Sequence, residues 1–187
     1  SCHYLIDRKG QILRIVDENK VAWHAGKSKW KNFRNLNNYS IGIELVNKGH
    51  EFGYEKFTNL QVKSLIKLCQ ILKKKYKIKD SNIVGHSDIA PLRKRDPGEK
   101  FPWKKLSNHK LGNWYKESQK KINLNPEKIE VVFFKNLKKL GYRYFSIYKR
   151  SYKDERIIKS FQQHYLPNNI TGKIDLKTYK ISHFLAL

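Results

Sequence analysis

Residues 86–98 read His-Ser-Asp-Ile-Ala-Pro-Leu-Arg-Lys-Arg-Asp-Pro-Gly and place a histidine, a lysine and a carboxylate close together in the chain. A neutral imidazole and a carboxylate are good zinc ligands, and a catalytic zinc takes three protein ligands and a water. His86 and Asp96 are ten positions apart, so the segment between them must fold back to join them. Pro91, Pro97 and Gly98 would stiffen and turn it. Lys94 stands two residues before Asp96, where an ammonium could stabilise the oxyanion formed as a carbonyl is attacked. Glu44 interrupts the apolar run of residues 41–46. A charge inside a buried strand needs a reason, and a carboxylate beside such a centre can serve as general base. The same residue types also fit a hydrogen-bonded His–Asp loop pair and an ion pair between Glu44 and an arginine.

The elements that would carry these residues follow from the pattern. Residues 3–7 and 11–16 are expected as strands of a hairpin turned by Arg8-Lys9-Gly10. Residues 26–38 are polar and aperiodic, so a loop is expected there. Residues 41–46 are expected as a buried strand. Thr58 and Gln61 form a capping box, and Leu65, Ile66, Cys69 and Leu72 make a helical stripe ending near Tyr76. Residues 82–85 are expected as a further strand, followed by a loop to Trp103. This order indicates an α/β domain with a mixed sheet and flanking helices. The composition shifts at the polar segment 107–112. Beyond it, short helices are expected at about 129–140, after Asn125-Pro126, at 155–165, ended by Pro167, and at 176–187, with Asp175 as N-cap. The expected domains are therefore 1–110, a connecting segment 111–124, and a three-helix unit 125–187.

The chain has 187 residues, 40 Lys plus Arg against 16 Asp plus Glu, and a formal charge of +24. Its 39 % apolar and 13 % aromatic content is enough for a core and excludes a disordered chain. No apolar run reaches the ~20 residues of a membrane span. Two cysteines, Cys2 and Cys69, exclude a disulfide-stapled scaffold and a four-cysteine zinc knuckle. The basicity suits an anionic partner: nucleic acid, a membrane surface or a wall polymer. No base-reading helix or RNA-binding motif is visible, so no specific nucleic-acid partner is expected. The first residue is Ser1, and any targeting segment is expected upstream of it.

Five ordered blocks sharpen the reading: Cys2-His3-Tyr4-Leu5-Ile6-Asp7, Ala22-Trp23-His24-Ala25-Gly26, Asn35-Leu36-Asn37, Ser40-Ile41-Gly42-Ile43-Glu44, and residues 84–103. Together they resemble the zinc-dependent N-acetylmuramoyl-L-alanine amidases of the AmpD/AmiD type, the amidase-2 family, over about residues 1–106. The resemblance implies a mixed central sheet flanked by helices, a Zn2+ cofactor, and peptidoglycan or muropeptides as partners. It implies His86 and Asp96 as zinc ligands, Glu44 as the acid/base, and Lys94 as the group that stabilises the tetrahedral intermediate. Trp23, His24, Asn35 and Asn37 would line the muropeptide groove. In the family the first zinc ligand is a histidine on a strand preceding the first block. It is expected here from the missing upstream strand, either lost by truncation or retained as a processed fragment of the same protein, with His3 as a local substitute. Residues 125–187 resemble a peptidoglycan-binding module, on Phe161-Gln162-Gln163-His164-Tyr165 and on Ile170-Thr171-Gly172-Lys173-Ile174-Asp175-Leu176-Lys177-Thr178. The expected function is hydrolysis of the amide between N-acetylmuramic acid and L-alanine. The alternative is a non-catalytic peptidoglycan-binding protein that lacks the first ligand. The cell envelope or periplasm is the expected compartment, with the cytoplasm as alternative.

Overall fold

The structure is a computed structural model and describes residues 1–116 and 126–187. In chain order its strands are β1 (Tyr4–Ile6), β2 (Ile12–Arg14), β3 (Lys29–Trp30), β4 (Phe33–Arg34) and β5 (Ile43–Leu45). Its helices are α1 (Asn59–Tyr76), α2 (His86–Ile89), α3 (Trp103–Ser107), α4 (Ile129–Leu140), α5 (Asp154–Tyr165) and α6 (Leu176–Ala186). The fold is thus the expected mixed sheet with flanking helices. Most of the expected connecting segment 111–124, and Asn125, lie outside the described residues.

The chain divides into two compact units. The first comprises Ser1–Ser28, Phe33–Val84 and Lys100–Gly112. It holds a three-stranded sheet in the order β2-β1-β5, with β1 antiparallel to β2 and parallel to β5. The hairpin forms because Asp7 Oδ1 accepts hydrogen bonds from the amides of Lys9 (2.9 Å) and Gln11 (2.7 Å). Gly10 completes the turn at φ 82°, and a Cβ there would lie 2.8 Å from the Leu60 carbonyl oxygen.

Helix α1 packs on β1, and its capping box also holds the sheet. Gln61 is fully buried: its Oε1 accepts from the Thr58 amide, while Nε2 donates to the carbonyls of Val46 (2.9 Å) and Ile6 (3.4 Å). One side chain therefore caps a helix and bridges two parallel strands. The register pairs Leu5 with both Leu13 and Glu44, so these three share a face, while buried Tyr4 and Ile6 point to the other.

The second unit comprises Lys29–Asn32, Gly85–Glu99 and Asn113–Leu187. Phe133, Phe134, Leu137, Tyr142, Ile157 and Phe161 are its fully buried apolar centre. Phe133 meets Phe161 edge to face at 5.5 Å. Gln162 Nε2 donates to Thr171, Thr178 and the Lys173 carbonyl, while its Oε1 accepts from the Gly172 amide. That one amide fixes the turn before α6, and Asp175 caps the helix by accepting from the Thr178 amide at 2.7 Å.

Four expectations are corrected. Residues 82–85 are not a strand, because their amides are bound locally. Ile83 donates to the Asp80 carbonyl, closing a 3-10 turn over Asp80–Asn82, and Gly85 donates to Asp88 Oδ2. The loop expected after them opens with the one-turn helix α2 and closes before a second short helix, α3, which buries Trp103 and Leu106. The expected loop 26–38 contains β3, β4 and a 3-10 turn over Leu36–Asn38. Finally, β5 is only three residues long, and Glu44 on it is exposed rather than buried.

A polar cluster joins the start of the sheet to the end of α1. Glu18 accepts from Tyr4, from Lys75 Nζ (2.5 Å) and from Tyr76 Oη (2.6 Å). Hydrogen bonds from Lys75, Tyr4 and Tyr76 hold the Glu18 carboxyl down to about 2, against an ordinary 4.5. A carboxyl depressed in the folded state contributes stability in full above its unfolded pKa, and loses it as pH falls through the folded one. Urea unfolding between about pH 4.5 and 2 should therefore lose stability more steeply in the native chain than in Glu18→Gln. Parallel slopes would show that the cluster does not hold the fold.

Candidate active site

The segment after Gly85 folds back as its composition requires. Asp88 caps α2 by accepting from the Gly85 amide at 2.8 Å. The amides of Arg93 and Lys94 both donate to the Ala90 carbonyl, which reverses the chain. The Ser87 amide then donates to the Asp96 carbonyl at 2.8 Å. This closure sets His86 Nδ1 3.0 Å from Asp96 Oδ2, joining two residues that the sequence separates by ten positions. Arg93 Nη2 lies 3.4 Å from His86 Nε2. Desolvation by the loop raises the Asp96 carboxyl, but the hydrogen bond and charge of His86, with Lys94 behind them, leave it below the ordinary carboxylate range.

The two side chains fit zinc on donor chemistry and spacing. Ligands at about 2.0–2.2 Å from a tetrahedral ion stand about 3.3 Å from each other, near the separation seen here. Among the described residues no group of three or more His, Cys, Asp or Glu side chains is gathered to hold a metal.

The remaining expected site residues belong to the first unit. Glu44 extends from the open face of β5, and its backbone bonds the Cys2 thiol. Burial raises that thiol's pKa, and the charge of Glu44 raises it further. His3 is buried with both ring nitrogens engaged: Nδ1 accepts from the Gly42 amide (3.0 Å), and Nε2 donates to the Lys20 carbonyl (3.0 Å). An acceptor at Nδ1 forces the proton onto Nε2, so no lone pair is left for a metal.

His24 lies edge-on to His3 at 5.4 Å, with Nε2 2.9 Å from Ser40 Oγ and Nδ1 2.9 Å from the Ala22 carbonyl. Its ring covers Gly42, where a Cβ would come within 2.3 Å of it. Trp23, by contrast, is 78 % exposed. Asn35 is exposed and adopts a left-handed backbone at φ 54°, which asparagine tolerates. Asn37 is buried, and its Oδ1 accepts from three successive amides, His24 (3.1 Å), Ala25 (2.7 Å) and Gly26 (3.3 Å). Of the four expected groove residues, then, Trp23 and Asn35 face solvent, while Asn37 and His24 hold the loop that carries Trp23.

Sequence reasoning gave no role at the site to Asp88, Tyr142 or His164. Tyr142 Oη donates to Asp88 Oδ1 (2.6 Å), and His164 Nδ1 donates to Oδ2 (2.8 Å). The one available signal was an acid two residues after His86 in a segment otherwise rich in bases.

Residues 1–99 match the family described as N-acetylmuramoyl-L-alanine amidase, Amidase_2, and the chain belongs to that family. It is 34 % identical over 201 residues to N-acetylmuramoyl-L-alanine amidase AmiD of Escherichia coli (strain K12), an alignment covering 99 % of this chain and 73 % of AmiD. A solved complex of E. coli AmiD with the substrate anhydro-N-acetylmuramic acid-L-Ala-D-gamma-Glu-L-Lys superposes with a TM-score of 0.82 at 31 % identity, covering 99 % of this chain and 78 % of that one. AmpDh3 of Pseudomonas aeruginosa, in complex with anhydromuramic pentapeptide, superposes with a TM-score of 0.88 at 30 % identity, covering 99 % and 81 %. The AmpD amidase of Haemophilus influenzae (strain ATCC 51907 / DSM 11121 / KW20 / Rd) is 42 % identical over 106 residues, which is 56 % of this chain and 55 % of AmpD.

Asn37 accepts from three successive amides, so Asn37→Ala should lose about 1–3 kcal/mol of stability in urea unfolding. Asn37→Asp, which keeps the accepting oxygen, should lose less. Equal losses would mean that packing, not the shared acceptor, holds the loop.

Proposed function

We propose that this chain is a zinc-dependent amidase that cleaves the amide between the lactyl group of N-acetylmuramic acid and L-alanine in peptidoglycan-derived muropeptides. The observation that carries this is the 3.0 Å approach of His86 Nδ1 to Asp96 Oδ2, within a region that matches the amidase family. His86 and Asp96 are two of the ligands. The metal, when bound, supplies Lewis-acid polarisation and a nucleophilic water at neutral pH. Glu44 takes the proton of the attacking water and returns it to the leaving amine. Its exposure on the open sheet face supports that role, since a buried, ion-paired carboxylate could not exchange protons freely. Lys94 stabilises the negative charge that develops on the carbonyl oxygen.

Trp23 offers an exposed aromatic face to the sugar or stem peptide, and the exposed Asn35 a polar contact. His24 and Asn37 fix the loop that presents the indole. The muropeptides bound by AmiD and AmpDh3 support the same substrate class here. Among the described residues no helix is long and apolar enough to cross a membrane.

The test is release of stem peptide from an anhydro-muropeptide, with zinc per chain measured alongside. Glu44→Ala should lower kcat by about a hundredfold or more while zinc is retained. His86→Ala and Asp96→Ala should each lose zinc. Lys94→Ala should lower kcat more than it changes KM. Zinc retained in both ligand variants, or a full rate in Glu44→Ala, would remove those residues from the mechanism.

A further inference from the structure

We propose that α5 is a positioning element for the metal-ligand loop. His164 and Tyr142 act through the Asp88 carboxylate, and Ser160 acts through the Ser87 carbonyl, to orient α2 so that His86 meets Asp96. The proposal rests on the reading of His86 and Asp96 as ligands.

Helix α2 is a single turn of four residues. A helix of that length has no stability of its own, so its orientation must be imposed by what it touches. Asp88, at its centre, is 1 % exposed. Burying a carboxylate is costly unless its oxygens are met by donors, and three meet this one. Only the Gly85 amide is local. Tyr142 Oη and His164 Nδ1 come from 54 and 76 residues further along the chain. The residue before Asp88 links the brace to the ligands directly. Ser87 accepts from Ser160 Oγ at its carbonyl (2.8 Å) and donates from its amide to the Asp96 carbonyl (2.8 Å). The far limb of the loop is held from the same helix, where Arg156 Nη1 donates to the Leu92 carbonyl at 2.7 Å.

Arg156, Ser160 and His164 are spaced at i, i+4 and i+8, which puts them in one row along α5. The row is polar and runs beside the buried apolar positions Ile157, Ile158 and Phe161 of the same helix. A helix serving only to close a three-helix core has no use for three consecutive polar groups directed at one loop. The segment compared with a wall-binding module is on this account part of the catalytic apparatus, and cannot be removed without loosening the ligand pair.

His164 and Tyr142 are positioning residues, so the decisive readout is local order in the metal-free chain. Amide hydrogen exchange at Ser87 should quicken about tenfold or more in His164→Ala, with α4 and α6 amides unchanged. His164→Asn keeps a donor near the Nδ1 position and should restore protection. Zinc affinity, read by chelator competition, should fall about ten- to a hundredfold in His164→Ala and recover in His164→Asn. Unchanged Ser87 exchange in both His164→Ala and Tyr142→Phe would overturn the proposal. If His164→Ala loosens α4 and α6 as well, Tyr142→Phe, which removes one hydroxyl, decides by the same readout. A native chain that takes no zinc and cleaves no muropeptide would overturn the proposed function instead, and the exchange result would still decide the positioning.

Discussion

A carboxylate withdrawn from water has to be met by donors on its open sides, and where those donors reside determines which parts of a chain must fold together. Asp88 draws its donors from the turn before α2, from the second residue after α4 and from the last turn of α5. One desolvated charge thus commits a four-residue helix to a helical segment far away in sequence. The compact unit that contains Gly85–Glu99 accordingly contains the C-terminal helices as well. Cooperativity here comes from a polar requirement, with the aromatic core of Phe133, Phe134 and Phe161 supplying the apolar stability around it.

The first unit uses the same economy with neutral groups. Gln61 caps α1 and bridges β1 and β5, and Asn37 collects three amides of the 24–26 turn. In each case a single amide side chain replaces several backbone pairings that a three-stranded sheet is too small to provide. Glu44 profits from this arrangement: with one sheet face covered by α1, the period-2 alternation leaves the other to present the carboxylate.

Much of this was legible from local pattern. The 3.6-residue period and the capping box at Thr58 placed α1, Asp175 placed the start of α6, and Pro126 and Pro167 marked the bounds of α4 and α5. Proline and glycine around Lys94 announced that His86 and Asp96 would be folded together. What could not be read has identifiable causes. A one-turn helix such as α2 is too short for any periodicity. Residues 82–85 look like a strand until their amides are found bound to Asp80 and Asp88. The apolar run around Glu44 suggested burial on both faces, whereas only one face of a three-residue strand is covered. The Asp88–His164 contact spans 76 residues, a distance at which a single sequence carries no pairing information.

The packing of His24 on Gly42 has an evolutionary side. The ring occupies the space that any side chain at position 42 would need, and the Gly42 amide is itself committed to His3. Three positions scattered over forty residues are thereby bound into one heritable unit. Drift at any one of them is checked by the other two, so the block around Gly42 should diverge more slowly than its exposed neighbours, whatever happens to the substrate.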